Sequence, residues 1–141
     1  AKPMGRAYLV GYKLVFDKVS KADSSAKADC QKQEGFTVWG GLYTVLNSER
    51  RSLDRAEGLG HGYKEDWVKV HMDDGNAVLA LTYIATDKQP NLRPFTWYVR
   101  HVLIGASDFS LPDDYINNIQ AVDVITDRDS ARVEKELSIY S

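Results

Sequence analysis

Two carboxylates near the middle of the chain have the spacing of a proton-transfer site. Asp54 and Glu57 lie three residues apart in Leu53-Asp-Arg-Ala-Glu-Gly58, at the end of a short helical segment, so they can share one helix face. Ion pairs with neighbouring arginines would explain both as solvated surface charges. A carboxylate at the carboxyl end of a helix, however, faces the negative end of the helix dipole, which raises its pKa. Such a group is suited to general acid–base catalysis, so the spacing leaves both interpretations open.

Aromatic and glycine residues form the second group of interest. Most of the tryptophans and tyrosines between residues 39 and 98 are expected in the core. Tyr63 follows the glycine-rich turn after Glu57, so it is the best candidate to line a cleft beside that carboxylate. Gly40 and Gly41 interrupt a strand-like segment, which indicates a bulge or a close approach of backbone or ligand.

The sequence offers no support for phosphate, metal or thiol chemistry. It contains no P-loop, and Gly58-Leu-Gly-His-Gly62 lacks the spacing of a dinucleotide-binding turn. His61, His71 and His101 lack metal-ligand spacing, and Cys30 has no cysteine partner, so no metal site is expected. We interpret the histidines as surface or hydrogen-bonded residues and Cys30 as incidental.

The composition is that of one ordinary globular domain. The 141 residues are 43% hydrophobic and 27% charged, and a chain of this length buries enough surface for a core. The formal net charge of −2 argues against nucleic acid or an anionic membrane as a partner. A single cysteine and the absence of a secretory-type leader favour a reducing, cytoplasmic location. We therefore predict a single domain over residues 1–141.

The order of elements predicts an α+β fold, because strands dominate the first 85 residues and helices the rest. Strands are predicted over 7–16, 37–46, 63–72 and 77–85, with a polar excursion loop over 17–35 and a hairpin turn at Asp74-Gly75. Helices are predicted from the capping pair Asn47-Ser48 to about Ala56, over 95–104 with Gly105 as the stop, from Pro112 through Ile119, and over 127–139.

Several segments, in order along the chain, give it the pattern of a known family. It resembles the γ-glutamylcyclotransferase family within the AIG2-like superfamily, and the match extends along the whole chain. The segments that carry the resemblance are Leu9–Phe16, Val38-Trp-Gly-Gly-Leu-Tyr43, Leu53-Asp-Arg-Ala-Glu-Gly58 followed by Tyr63, Thr82-Tyr-Ile84, and Tyr98 with Gly105-Ala106 and Leu111-Pro-Asp-Asp-Tyr115.

The resemblance implies a small mixed β-barrel flanked by helices and cofactor-free, metal-free cleavage of γ-glutamyl amino acids or peptides. In that reaction the substrate's own α-amine attacks its γ-amide, releasing 5-oxoproline and an amino acid or amine. The resemblance makes Glu57 the catalytic acid–base and leaves Asp54 a structural role. Tyr63, Tyr98, Gly40 and Gly41 are the expected substrate-binding residues, and a homodimer is a reasonable expectation.

One family feature does not occur in these 141 residues. The family begins with a strand and a Tyr-Gly-Ser-Asn loop that holds the γ-glutamyl end of the substrate, and this sequence, which starts at Ala1 rather than Met, contains no such loop. The expectation is therefore a domain in which residues 1–141 lack this N-terminal strand and substrate loop. The alternative function is a non-catalytic binding or interaction domain on the same fold.

Overall fold

The computed structural model describes residues 1–56 and 62–140, and this part of the chain has the α+β organisation expected from the sequence. Its strands form one antiparallel sheet in the order β2-β1-β3-β4. The elements are β1 Lys2–Val19, β2 Ala26–Thr44, α1 Asn47–Ala56, β3 Tyr63–Met72, β4 Ala77–Ala85, α2 Thr96–Asp108, α3 Asp113–Gln120, α4 Ser130–Leu137 and a short 3₁₀ helix Ser138–Tyr140.

The β3–β4 hairpin confirms its prediction at both strands. β3 alternates so that Val68 and Val70 are buried while Trp67 is 59% exposed, as expected for a sheet with one face on the core. Ala7 and Leu9 of β1 complete that buried cluster. This core cluster therefore lies on one face of β1 and β3, and partly buried residues of β2 and β4 pack against it.

The predicted excursion loop over residues 17–35 is wrong, because most of it is strand. β1 continues to Val19 and β2 already begins at Ala26, leaving a tight turn between them. In that turn the Asp23 carboxylate accepts hydrogen bonds from the backbone N and the hydroxyl of Ser25, at 2.9 and 2.5 Å. The polar residues 31–35 of this ladder are exposed, and the buried Asp29 is paired with Lys88, so polarity did not indicate a loop.

The sheet curls until its two outer strands meet. The Asp29 carboxylate of β2 accepts a hydrogen bond from the backbone N of Ala85 in β4, at 2.8 Å. Within residues 1–56 and 62–140 no strand ladder joins β2 to β4, so the sheet is barrel-like but not closed, and a side-chain contact joins its two outer strands there.

Two helix boundaries differ from those predicted. Helix α2 passes through Gly105 and ends at Asp108, and the turn beyond it uses Ser110 at φ +52°. Gly105 does not end the helix because the next residue, Ala106, is buried in the core. Helix α4 begins at Ser130 with Asp129 as its N-cap, because Asp127 is drawn away to Trp97 and Arg132.

The described helices are all too short or too polar to cross a lipid bilayer.

Candidate functional site

Helix α1 carries Asp54, the first of the two carboxylates singled out in the sequence. It covers Asn47–Ala56, as predicted, and Glu57 follows directly in the sequence but lies outside the described residues. Its amino end is capped by Glu49, whose carboxylate accepts a hydrogen bond from the backbone N of Leu46 at 3.2 Å. The side chain three positions into the helix thus reaches back to its start, in the manner of a capping box.

The carboxyl half of α1 is held on the β3–β4 hairpin by two contacts. The Tyr83 hydroxyl donates a hydrogen bond to Oδ1 of Asp54, and Nη2 of Arg50 lies 2.6 Å from Oε2 of Glu65. Glu65 and Tyr83 are directly opposite each other on β3 and β4. Two helix residues four apart therefore meet one cross-strand pair, which matches because both spacings are about 5–6 Å.

These contacts compensate the unfavourable position of Asp54 in the helix. Asp54 lies in the last turn of α1, where the helix dipole disfavours a negative charge. The Tyr83 hydroxyl donates to this carboxylate, and Nε of Arg50 lies 3.9 Å from its second oxygen. The nearby Glu65 carboxylate in turn raises the pKa of Arg50. Asp54 thus has partners that explain its presence as a residue that fixes the helix.

The two tyrosines expected to bind substrate meet at a single residue of β2. The Tyr63 hydroxyl donates to the carbonyl O of Ala28 at 2.7 Å, and the Tyr98 hydroxyl accepts from the backbone N of Ala28 at 2.9 Å. Tyr63 opens β3 and Tyr98 lies in the first turn of α2, and both rings are half-buried. The fold therefore brings together two residues that are 35 positions apart in the sequence.

Gly40 and Gly41 lie toward the other end of β2, away from Ala28. Their pairing with β1 is regular, so the predicted bulge is wrong at this position. A side chain at Gly41 would place its Cβ 2.3 Å from the ring of Phe109, whereas a Cβ at Gly40 would meet nothing within 4 Å. The close approach expected here is thus made by an aromatic ring from the end of α2.

A buried charge cluster beside the tyrosines was not expected from the sequence. The fully buried Asp29 carboxylate lies 2.9 Å from the ammonium of Lys88. Burial, followed by a hydrogen bond to Asp29 and its charge, raises the pKa of Asp17 to about 6. Both acidic residues fell within the segment interpreted as a loop. The only available signal was the alternation of small and polar residues from Ala26 to Asp29.

The remaining candidates are in settings without catalytic features. Burial raises the pKa of the Cys30 thiol to about 11, so the thiol stays protonated near neutral pH. His71 stacks on Tyr8 with ring centroids 5.2 Å apart, and His101 contacts Tyr140 and Glu136. His61 lies outside the described residues. Over 1–56 and 62–140, no group of three or more histidine, cysteine or acidic side chains could hold a metal ion.

Comparison with known proteins assigns the chain to a family. Residues 37–119, more than half of the chain, match the model of the AIG2-like family. The chain therefore belongs to the AIG2-like family.

Individual relatives agree with this assignment. The chain is 28% identical over 122 residues to human gamma-glutamylcyclotransferase, an alignment that covers 83% of this chain and 64% of the human protein. A solved structure of a gamma-glutamyl cyclotransferase superposes with a TM-score of 0.86 at 25% identity, covering 99% of this chain and 86% of that one. YkqA from Bacillus subtilis superposes with a TM-score of 0.76 at 25% identity, covering 88% of this chain and 46% of that one. The chain thus spans less than two thirds of its curated human relative.

Proposed function

We propose that this protein is a γ-glutamylcyclotransferase that converts a small γ-glutamyl amino acid or peptide into 5-oxoproline and a free amino compound. The observation that carries the proposal is the similarity to human gamma-glutamylcyclotransferase over 83% of the chain, together with the Leu53-Asp-Arg-Ala-Glu-Gly58 motif. The proposal includes a cytoplasmic location and a reaction that needs no cofactor.

The reaction requires one proton to move in two stages. The substrate α-amine loses a proton and its nitrogen attacks the γ-carbonyl carbon, closing a five-membered lactam. The amide bond to the leaving nitrogen then breaks, and that nitrogen gains a proton. We assign both transfers to the Glu57 carboxylate, which accepts the proton first and returns it afterwards. Because the nucleophile belongs to the substrate, the protein's main task is to hold a folded conformer.

The described residues fix the helix that precedes Glu57 in the sequence and provide a wall that we assign to the substrate cleft. The Asp54–Tyr83 and Arg50–Glu65 contacts fix α1, whose last residue directly precedes Glu57. The hydroxyls of two half-buried rings, Tyr63 and Tyr98, meet at Ala28, and we assign both tyrosines to the wall of the substrate cleft. Gly40 and Gly41 lie toward the other end of β2 and are not part of this wall, and Phe109 already packs over Gly41.

The test is release of 5-oxoproline from γ-glutamyl-alanine by the full-length protein. We expect turnover by the wild type and a loss of at least about 100-fold in kcat for Glu57→Gln, since general acid–base catalysis typically contributes 10²–10⁴-fold. Glu134→Gln, on the exposed surface of α4, is the matched control and should keep full activity. Tight binding of γ-glutamyl compounds without turnover would refute the enzyme and support a binding domain on this fold. Undiminished turnover by Glu57→Gln would refute the assigned residue.

A further inference from the structure

Lys18 is buried in a way that is unusual for a lysine. The residue is only 8% exposed, and lysines are almost never this buried unless they are paired. Its neighbours across the sheet are also lysines, because Lys18 pairs with Lys27 of β2 and forms an isolated bridge with Lys88. Three cationic residues therefore lie side by side on adjacent chain segments.

Two of these three lysines have carboxylate partners. Nζ of Lys27 lies 3.3 Å from Oδ2 of Asp23, and Nζ of Lys88 lies 2.9 Å from Oδ2 of Asp29. Among the residues that the structure describes, no carboxylate forms an ion pair with Lys18. Lys18 therefore differs from its two neighbours in that the described residues provide no ion-pair partner for it.

The ammonium of Lys18 lies beside Tyr63, one of the residues expected to bind substrate. Its Nζ lies 4.9 Å from the centroid of the Tyr63 ring. It also lies against Gly62, where an added Cβ would be 2.7 Å from Cε and 3.1 Å from Nζ of Lys18. Gly62 has a φ of +114°, so both its backbone and the lysine beside it require glycine. Lys18 is therefore held at the start of β3, beside a residue expected to bind substrate.

We propose that Lys18 binds a carboxylate of the γ-glutamyl substrate. The inference rests on the proposed function and adds a specificity-determining residue to it. A compact ammonium at a partly desolvated position attracts a carboxylate strongly, and the cation–π interaction with the Tyr63 ring helps to stabilise the ammonium there. A γ-glutamyl amino acid carries two carboxylates, one on the γ-glutamyl α-carbon and one on the leaving amino acid, and both have this chemistry.

Substrate kinetics with Lys18→Met test the proposal, since methionine keeps an unbranched stem but removes the charge. The control is Lys21→Met, which removes one charge from the exposed turn. With γ-glutamyl-alanine we expect Lys18→Met to raise KM about 10- to 100-fold while kcat stays within about threefold, the range of a hydrogen bond to a charged group. Lys21→Met should leave both constants unchanged.

A second substrate, γ-glutamyl-ethylamide, identifies which carboxylate is bound because its leaving group has none. If Lys18 binds the leaving amino acid, the KM defect appears with γ-glutamyl-alanine alone. If it binds the γ-glutamyl α-carboxylate, the defect appears with both substrates. An unchanged KM would overturn the proposal. So would a fall in kcat at constant KM with a displaced pH profile, because Lys18 would then act on the catalytic carboxylate.

Calorimetric titration with γ-glutamyl-alanine separates failure of this inference from failure of the proposed function. Binding by the wild type without turnover would refute the proposed enzyme, and loss of that binding in Lys18→Met would still support the lysine. Binding equal in wild type and Lys18→Met would overturn the lysine's role. Absence of wild-type binding would overturn both. Lys18→Gln, with a polar end for the same position, is the second variant should Lys18→Met not fold.

Discussion

The carboxyl pair formed by Asp17 and Asp29 leads to a specific prediction of how the free energy of unfolding depends on pH. Burial and the neighbouring Asp29 raise the pKa of Asp17 from 3.8 to about 6. Between those two values the folded protein binds a proton at Asp17 that the unfolded chain has released. The contribution of Asp17 to stability must therefore fall as the pH rises from about 4 to about 6, and above that range its cost is constant.

The structure sets the size of this effect. For a group fully shielded from solvent, a pKa difference of about 2 corresponds to a stability change of about 3 kcal/mol. Asp17 is only partly buried, and solvent screening reduces the expected cost to about 1 kcal/mol. Asp17→Asn should remove that cost, because a neutral amide donates to Asp29 as the protonated acid does. We expect the variant to match the wild type at pH 4 and to exceed its free energy of unfolding by about 1 kcal/mol at pH 7.

Urea denaturation at intervals from pH 4 to pH 8 measures this difference directly. Other titrating groups are common to both proteins and cancel when the two free energies are subtracted. Asp66→Asn, an exposed aspartate on β3, is the control and should give a difference that does not change with pH. If the difference between wild type and Asp17→Asn is equally flat across pH 4–7, the shared proton of the pair is refuted.

Two further predictions concern packing around the site. Asp54→Asn and Tyr83→Phe should each destabilise the protein by about 1–2 kcal/mol, since a hydrogen bond to a charged group is worth about 1.5–3 kcal/mol. The double variant should show a coupling energy of similar size in urea denaturation. Additive effects of the two substitutions would contradict the contact. Gly41→Ala should lower the free energy of unfolding by about 1–3 kcal/mol, because its Cβ would clash with the Phe109 ring. Most of that loss should vanish when Phe109 is replaced by alanine. If Gly41→Ala left the stability of the otherwise wild-type protein unchanged, the position of the ring would be contradicted.

Local sequence signals were sufficient to predict the limits of an element where the residues that determine its structure lie within the element itself. β3 and β4 alternate clearly around an Asp74-Gly75 turn, so their limits were predictable to the residue. The limits of helix α1 were also predicted, but its cap was assigned to Asn47 and Ser48, whereas the side chain that caps it is Glu49. In contrast, the polar half of the β1–β2 hairpin was not recognised as strand, because what stabilises it is the partner strand rather than its own hydrophobic pattern.

Tertiary contacts account for the other differences. Gly105 stays within α2 because packing around Ala106 outweighs the helix cost of one glycine, which is about 1 kcal/mol. The sequence singled out Tyr63 and Tyr98 as site residues, but their meeting at Ala28 depends on the curl of the whole sheet. The position of Lys18 was not predictable either, since it depends on the pairing of three lysines from separate segments.

The two tyrosine hydroxyls at Ala28 also protect the protein from self-association. β2 is an outermost strand of the sheet, and such a strand offers unpaired N–H and C=O groups to any other extended chain. At Ala28 both groups are already occupied by Tyr63 and Tyr98, and across the curl the N–H of Ala85 is occupied by Asp29. Tyr63 and Tyr98 thus cap part of an aggregation-prone edge. Under the function proposed above, a substitution that changes substrate preference at either tyrosine would also uncap that part of the edge.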